Sequence, residues 1–209
     1  MMRILVNAGP TREHIDTVRY ISNASTGRMG YAIAARAADL GHTVTLVSGP
    51  VGLAPPRSVH LIEVVSAAEM FDACVRAFAD CDAAVLTAAV CDYRPAVRHE
   101  QKLKKQAVPL TLALEPTPDI AAHLGAVKGS RVVVAFALED HDAQAHAERK
   151  LQEKQADAVI LNSPDNIGGD HAAISILTAD GQWSPTIEGA KDEVAAEILR
   201  LVGQLCRRT

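Results

Sequence analysis

The regular alternation of short apolar stretches with amphipathic stretches is the feature that most constrains the fold of this chain. In its N-terminal half, strands are predicted over residues 4–6, 42–48, 60–65 and 83–90, and helices over residues 29–40 and 67–79. This order predicts an α/β fold with a mainly parallel sheet and right-handed crossovers. Residues 83–90 are almost wholly apolar, as expected for a central parallel strand that is covered on both faces.

The alternation breaks after residue 90 and then resumes. Residues 91–108 form a polar, basic excursion, and a strand-like stretch follows over residues 109–114. The remaining predicted strands cover residues 131–137 and 157–162, and the helices cover residues 117–127 and 142–155. A C-terminal hairpin is predicted from residues 173–177 and 183–187, and an amphipathic helix follows it.

Length, charge and cysteine usage exclude several classes of protein. The 209 residues fit one domain, residues 1–209, with a sizeable core. A net charge of −4 argues against a nucleic-acid partner, and no stretch reaches the roughly 18–20 apolar residues of a membrane span. The N-terminus lacks signal-peptide features, and the four cysteines form no CxxC pair. We therefore expect a cytoplasmic protein without a zinc site or a disulfide framework.

Three glycines near the N-terminus form a pattern typical of phosphate binding. The first strand runs into Gly9, and the next helix begins near Gly27 and Gly30. Glycine lets backbone N–H groups approach an anion, and a helix N-terminus adds partial positive charge. The alternative interpretation is a surface loop that leads into a helix N-cap at Ser25 or Thr26.

A polar segment, residues 10–23, separates the two halves of this glycine pattern and is too long for a tight phosphate turn. We interpret it as a substrate-handling segment, because it concentrates side chains that bind polar ligands. These side chains are Thr11, Arg12, Glu13, His14, Asp16, Arg19, Tyr20 and Asn23.

Polar groups also follow several predicted strands at their carboxyl ends, which is the edge where parallel α/β sheets bind ligands. Asp92 follows residues 83–90, Glu139 and Asp140 follow residues 131–137, and Asn162 ends the strand after them. Each of these alone is typical of a turn. Together they favour a binding site.

Two groups of lysines could neutralise phosphate charge. Lys150 and Lys154 are four residues apart on a predicted helix and face the same way. Lys102, Lys104 and Lys105 lie in the basic excursion. Both groups can equally be read as solvated surface charge, but an enzyme that handles a triphosphate needs several ammonium groups at once.

Several motifs are absent, and their absence narrows the chemistry. The sequence has no GxxxxGK[ST] loop and no GxSxG elbow. The second strand ends at Ser48 without the acid that holds a ribose diol in NAD-binding proteins. No tyrosine is followed by lysine four positions later, and no set of residues is spaced as a nucleophile with its base.

At these residues the chain resembles the phosphopantothenate–cysteine ligases, also called phosphopantothenoylcysteine synthetases, of coenzyme A biosynthesis. The shared motifs occur in order and are AGPTRE (8–13), VRYISNASTGRMG (18–30), TLVSGP (45–50), AAVCDYRP (88–95), KLKK (102–105), TPDI (117–120), VVAFALE (133–139) and DAVILN (157–162). The resemblance implies a Rossmann-like, doubly wound fold with a protruding flap at about residues 91–115. It also implies a homodimer and a two-step ligation that uses Mg²⁺ and CTP, or ATP as in eukaryotic members.

The resemblance also assigns site residues, with Asn23 and Lys102 as the catalytic ones. The nucleotide-binding residues that it implies are Gly9, Ser25, Gly27, Gly30, Asp92, Lys102, Pro118, Asp119, Ile120, Ala121, Phe136, Lys150, Lys154 and Asn162. The substrate-binding residues that it implies are Asn23, Ala88, Ala89 and Asp92. It gives no metal ligands. Cys91 stands where related sequences commonly have alanine.

Two other functions stay open on the sequence alone: an NAD(P)-binding reductase and a non-catalytic nucleotide-binding module. We expect CTP rather than ATP, because AGPTRE and KLKK follow the bacterial style of the family. The residues that recognise cysteine, and whether a separate phosphopantothenoylcysteine decarboxylase is a partner, stay undecided.

Overall fold

The computed structural model describes residues 1–105 and 107–208 of the chain. The strands are β1 (Arg3–Ala8), β2 (Arg12–His14), β3 (Tyr20–Ser22), β4 (Thr43–Ser48), β5 (Val59–Glu63), β6 (Ala83–Leu86), β7 (Tyr93–Pro95), β8 (Leu114–Pro116), β9 (Val132–Leu138), β10 (Ala158–Asn162), β11 (His171–Thr178) and β12 (Ile187–Ala190). The α-helices are α1 (Arg28–Asp39), α2 (Ala67–Phe78), α3 (Ile120–Val127), α4 (Ala143–Glu153) and α5 (Lys191–Leu205), and Pro164–Asn166 forms a 3₁₀ turn.

The main sheet has the strand order β12-β11-β10-β9-β6-β1-β4-β5. Its strands from β10 to β5 are parallel, and β11 and β12 add an antiparallel hairpin at one edge. In the centre, Val6 lies opposite Leu46 on one side and Val85 on the other. The predicted Rossmann-like α/β fold with a mainly parallel sheet is therefore confirmed.

The two faces of the sheet are covered by different helices, because successive side chains of a strand point to opposite faces. Ile4 and Val6 of β1 belong to the core that includes α1 and α5. Leu5, between them, belongs to the core that includes α2, α3 and α4. Both faces of the central strands are buried, which explains why those strands read as continuous apolar runs.

The strand predicted over residues 83–90 forms a continuous ladder only over β6, and Ala89 makes an isolated bridge to Pro10. After Leu86 the chain leaves the ladder, because the Thr87 hydroxyl donates to the Asn7 carbonyl (2.6 Å) and the Ala88 N–H donates to the Asn7 side-chain oxygen (3.0 Å). The strand predicted over residues 109–114 is also wrong. Pairing there begins at Leu114, where β8 meets β7 in a separate two-stranded sheet.

The polar segment of residues 10–23 folds into the β2–β3 hairpin, and part of it is buried. Thr11 accepts a hydrogen bond from the Cys91 N–H (2.9 Å), and Glu13 accepts one from the Ala67 N–H (2.7 Å). Asp16 accepts from the backbone N–H of Arg19 (2.8 Å) and from its guanidinium. The substrate-handling interpretation is therefore wrong for Thr11, Glu13 and Asp16, which satisfy internal backbone groups instead.

The C-terminal hairpin forms as predicted, but its second arm lies later in the sequence than expected. Trp183 makes only an isolated bridge to Leu177, and Pro185, which has no N–H, interrupts the ladder before β12 begins at Ile187.

Within the described residues, no helix combines the length and the apolar character that crossing a bilayer requires.

Candidate functional site

A cleft of about 740 Å³ opens at the carboxyl ends of the central strands. It lies where the strand order reverses: from β1 the chain goes to β4 on one side, and later returns to β6 on the other. Parallel α/β sheets bind ligands at this point, because the loops that follow the two strands diverge there.

The predicted site residues converge on this cleft. All of them except Gly9 and Lys102 are among its lining residues. Those in the lining are Asn23, Ser25, Gly27, Gly30, Ala88, Ala89, Asp92, Pro118, Asp119, Ile120, Ala121, Phe136, Lys150, Lys154 and Asn162. The individual roles that the resemblance gives them stay predictions.

One wall of the cleft is the start of α1. Gly27 precedes the helix with φ +76°, and no side chain caps the helix, so neither Ser25 nor Thr26 is the N-cap. A Cβ on Gly30 would lie 2.5 Å from the Ala8 Cβ and 2.5 Å from the Thr87 Oγ1, so only glycine lets the helix approach the sheet this closely. Gly9 lies behind this wall, with its Cα 3.4 Å from where a Cβ on Gly27 would be.

Asn23 bridges this wall to the loop that follows β6. Its side-chain Nδ2 donates to the carbonyl oxygens of Ala89 and Val90, both at 3.0 Å. Ala89 is itself tied to the chain after β1, because its N–H donates to the Gly9 carbonyl (3.0 Å). The side chain of Asn23 is exposed to the cleft, and these bonds fix its orientation.

The opposite wall is α4 with the start of α3. Lys154, at the end of α4, forms an ion pair with Asp119 (Nζ–Oδ2 2.7 Å), and Asp119 also caps α3 by accepting from the Ala122 N–H (2.8 Å). Burial raises the pKa of Asp119, but the Ala122 N–H and the Lys154 ammonium outweigh burial and keep this pKa below its usual range.

Lys150 lies one turn earlier on α4 and is partly buried. Among the described residues it has no carboxylate oxygen within 4.0 Å. Burial lowers the pKa of Lys150, and the nearby Lys154 ammonium lowers it further, while Glu139, Asp119 and Asp92 oppose these effects. An ammonium in this position gains from an anionic ligand.

Sequence reasoning missed several polar residues of the cleft. No motif in the sequence indicates a role for His146, yet its Nδ1 lies 3.0 Å from the Glu139 Oε2. The spacing of four residues between His146 and Lys150 was a signal that both share a helix face. Asn7 directly follows the strand predicted over residues 4–6, where a single polar residue gives little warning of a role at the strand end.

The loop of residues 163–170 closes one end of the cleft and is held from two sides. The Lys191 Nζ, at the start of α5, donates to the carbonyls of Asn166 (3.0 Å) and Gly169. Arg28, in the first turn of α1, forms an ion pair with Asp170. Burial and the neighbouring Arg28 lower the pKa of Lys191, against the effect of Asp170. No sequence pattern predicted this arrangement.

Lys102 is exposed and lies outside the cleft lining. The residue that follows it is fixed to the β2–β3 hairpin: the Leu103 N–H donates to the Asp16 carboxylate (3.0 Å), and the Arg19 guanidinium donates to the Leu103 carbonyl (2.6 Å). Hydrogen bonds from Arg19 and other donors keep the pKa of Asp16 well below its usual range, so this anchor stays ionised. The structure does not bring Lys102 together with the other predicted site residues.

The part of the chain that the structure describes has no group of three or more His, Cys, Asp or Glu side chains that could hold a metal ion. Of the four acids in the cleft lining, Asp119 is paired with Lys154, Glu139 with His146 and Glu153 with Arg149. Asp92 makes no ion pair with a described residue. One such carboxylate suits Mg²⁺ that is bound mainly by phosphate oxygens.

Comparisons with known proteins agree with this fold and site. The sequence signature of the DNA/pantothenate metabolism flavoprotein C-terminal domain matches residues 1–205. The chain is 49% identical over 209 residues to the coenzyme A biosynthesis bifunctional protein CoaBC of Vibrio vulnificus strain YJ016, covering 97% of this chain and 52% of that protein. It is 43% identical over 206 residues to a cysteine/cysteine sulfinic acid decarboxylase of an unknown prokaryotic organism, covering 96% of this chain and 57% of that protein.

A solved structure gives the same result. The crystal structure of the C-terminal domain of a coenzyme A biosynthesis bifunctional protein CoaBC superposes with a TM-score of 0.84 at 38% identity, covering 99% of this chain and 96% of that one. The chain thus spans about half the length of the curated relatives that it matches, and almost the whole of this separate domain. It belongs to the family of DNA/pantothenate metabolism flavoprotein C-terminal domains.

Proposed function

We propose that the chain is a phosphopantothenate–cysteine ligase, which joins 4′-phosphopantothenate to L-cysteine with CTP and Mg²⁺. The carboxylate of phosphopantothenate attacks the α-phosphorus of CTP, and pyrophosphate leaves. The amine of cysteine then attacks the acyl carbon of this acyl-cytidylate, and CMP leaves as the amide forms.

The observation that carries the proposal is the make-up of the cleft. A glycine-lined helix start, with Gly27 and Gly30, forms one wall, and Lys150 and Lys154 form the opposite wall. Backbone N–H groups and ammonium groups on two sides suit a triphosphate, whose charge is spread over many oxygens.

The proposed chemistry needs no nucleophile from the protein. Positioning of two substrates and neutralisation of phosphate charge are sufficient for acyl transfer through an activated carboxylate. We assign to Lys150 and Lys154 the binding of the phosphates, and to Lys102 the charge that develops on the α-phosphate. Lys102 can act there only when its segment turns from the β2–β3 hairpin toward the cleft.

Asn23 is assigned to the acyl group. Its position next to the Ala89 and Val90 carbonyls supports a role in holding the acyl intermediate beside the loop after β6. For Mg²⁺, Asp92 is the acid in the cleft that is free to contribute. Bound with the nucleotide, the ion would supply charge neutralisation at the phosphates.

We favour CTP over ATP. Glycine amides and lysines contact the same triphosphate in both nucleotides, so discrimination requires groups at the edge of the base. A site that hydrogen-bonds a small pyrimidine excludes a purine by size, and each buried polar group left unpaired costs about 1–3 kcal/mol. The ratio of kcat/KM for CTP and ATP, at saturating phosphopantothenate and cysteine, tests this choice, and a preference for ATP would contradict it.

The experiment for the whole proposal is incubation of the purified chain with 4′-phosphopantothenate, Mg²⁺ and each nucleotide, with and without cysteine. Pyrophosphate should appear only when phosphopantothenate and a triphosphate are both present, and the amide only when cysteine is added. NADPH oxidation without pyrophosphate would instead support a reductase. Tight CTP binding without turnover would support a binding module.

We also propose a homodimer. Supporting this, the flap (residues 91–115) exposes apolar side chains: Val97 is 64% exposed, and Val108 and Leu110 are each 65% exposed. Several exposed apolar side chains within one short segment are typical of a surface that a partner covers. Light scattering after size-exclusion chromatography should give twice the chain mass, and the mass of one chain would contradict the proposal.

A further inference from the structure

Three basic side chains form a stripe along the cleft face of α4. His146, Lys150 and Lys154 follow one another at intervals of four residues, so they share one face of the helix. The two outer members each have an acidic partner: Glu139 for His146 (3.0 Å) and Asp119 for Lys154 (2.7 Å). The middle member, Lys150, has no carboxylate within 4.0 Å among the described residues.

The absence of a partner for Lys150 needs an explanation, because acids are close by. Glu139 is the acid whose charge most favours the protonated form of Lys150, ahead of Asp119 and Asp92. A partly buried ammonium gains from a charge-assisted hydrogen bond to a carboxylate. Glu139 would therefore be expected to pair with Lys150, yet its carboxylate lies against His146 instead.

The His146 ring is held in place from a second side. The ring of His141 packs edge-on against it, with 5.2 Å between the ring centroids. Glu139 follows the last residue of β9, and its backbone N–H donates to the Asn162 carbonyl (3.2 Å), so its backbone is fixed at the edge of the cleft. His146 and Lys150 lie one helical turn apart and offer two alternative donors.

We infer that His146 is a positioning residue that holds the Glu139 carboxylate away from Lys150, so that the Lys150 ammonium stays available to an anionic phosphate ligand. This inference rests on the proposed function for the identity of the ligand, a nucleoside triphosphate. In physical terms, the Glu139 carboxylate and the phosphate ligand compete for the Lys150 ammonium. Without His146, Glu139 pairs with Lys150, and a ligand must displace this internal carboxylate before it binds.

The test uses inorganic tripolyphosphate as the binding probe, because it carries the phosphate charge without requiring turnover. Titration calorimetry compares the wild type with His146→Ala, Glu139→Gln, the double variant and His146→Gln. His146→Ala should weaken tripolyphosphate binding about tenfold, the scale of one charge-assisted hydrogen bond. The double variant should restore the wild-type affinity, because the amide introduced by Glu139→Gln carries no charge to compete. His146→Gln should restore part of it, since its amide N–H can hold Glu139.

His60→Ala is the matched control, because His60 is an exposed histidine on the edge strand β5, remote from the cleft. It should bind tripolyphosphate as the wild type does. Thermal unfolding of each variant shows whether the fold is intact. In turnover with CTP, His146→Ala should raise KM and leave kcat nearly unchanged, a split that general destabilisation would not produce.

Unchanged tripolyphosphate affinity in His146→Ala would overturn the inference, as would a double variant that binds as weakly as His146→Ala. If His146→Ala lost binding only because its fold was damaged, adding Glu139→Gln would not restore the affinity. The proposed function fails differently: if the chain shows the affinity pattern with tripolyphosphate but releases no pyrophosphate from CTP and phosphopantothenate, the competition stands and the ligase assignment does not.

Discussion

The α4 wall of the cleft and the flap are held in the molecule in different ways, although both carry lysines assigned to one reaction. Lys150 and Lys154 project from α4, which Ala147 and Leu151 anchor in the core. The described part of the flap is held by the short β7–β8 ladder and by the contact of Leu103 with Asp16. Local opening costs least where few apolar contacts are buried.

This difference separates binding from catalysis. Side chains on a packed helix are positioned before the ligand arrives, so they suit the binding of phosphates. A lysine on a segment that hydrogen bonds rather than core packing hold in place reaches the substrate only after a movement, so it suits a step that should wait until the site is filled. The following predictions would break or sharpen this division.

The largest effect is expected from the two lysine classes compared directly. Lys102→Gln should raise the activation free energy of pyrophosphate release by about 3 kcal/mol, because one electrostatic stabiliser of the transition state is lost. Its kcat should fall accordingly, and its CTP affinity should stay unchanged. Lys150→Gln should instead weaken CTP binding. Calorimetric titration with CTP and single-turnover pyrophosphate release separate the two, and Lys104→Gln, a neighbouring exposed lysine of the flap, is the control. Near-normal pyrophosphate release by Lys102→Gln would show that the flap supplies no catalytic lysine.

On the packed side, Gly30→Ala should destabilise the fold. Its Cβ would lie 2.5 Å from the Ala8 Cβ and 2.5 Å from the Thr87 Oγ1, so the start of α1 must move from the sheet. Overpacking of this kind costs about 1–3 kcal/mol of unfolding free energy, measured by urea denaturation. Gly52→Ala, which has nothing within 4 Å of its added Cβ, is the matched control. Equal stability of the two variants would mean that this wall is not rigid.

At the base of the flap, Cys91→Ala should keep ligase activity. Cys91 is buried, and its Sγ donates to the Thr11 carbonyl (3.6 Å). Burial raises the pKa of the Cys91 thiol, so it is a packing group rather than a nucleophile. The unfolding free energy should fall by about 1 kcal/mol, the scale of one buried methylene-sized group. Complete loss of pyrophosphate release would show that the thiol takes part.

The smallest effect concerns the ion pair that occupies Lys154. Asp119→Asn keeps an N-cap side chain but removes the charge, and should lower stability at pH 7 by about 0.2–1 kcal/mol, because the pair is partly exposed. Since the folded-state pKa of Asp119 lies below its unfolded value, this stability is present above the unfolded pKa and is lost as pH falls through the folded pKa. Urea unfolding at pH 7 and pH 3 should show the difference between wild type and variant shrinking; a difference that grows on acidification would contradict it.

The sequence predicted the parts of the fold that depend on apolar periodicity. The order of parallel strands and covering helices followed from runs such as residues 83–86 and 132–137, because burial on both faces leaves a plain signal. It did not predict where a strand ends. Residues 88–90 are as apolar as the strand before them, and the hydrogen bonds of Thr87 and Ala88 to the carbonyl and side chain of Asn7, on another strand, take the chain out of the ladder.

For the site, the sequence was most informative where backbone geometry requires a residue type. Gly27 and Gly30 could be predicted because a positive φ at the first and a close helix–sheet approach at the second favour glycine over other residues. Lys150 and Lys154 could be predicted because their spacing matches one face of a helix. Burial of polar groups was not predictable. Thr11, Glu13 and Asp16 look like ligand-binding side chains in the sequence, and only the tertiary structure shows the backbone N–H groups that they satisfy.

The attachment of Lys191 makes the C-terminal helix a part of the cleft as well as a cover for one face of the sheet. Its ammonium holds the carbonyls of Asn166 and Gly169, so the loop that closes the cleft depends on the first residue of α5. Protein engineering should respect this dependence. A fusion partner joined beyond Leu205 leaves those bonds in place, whereas a shortened chain that ends before Lys191 loses the support of the loop together with the helix.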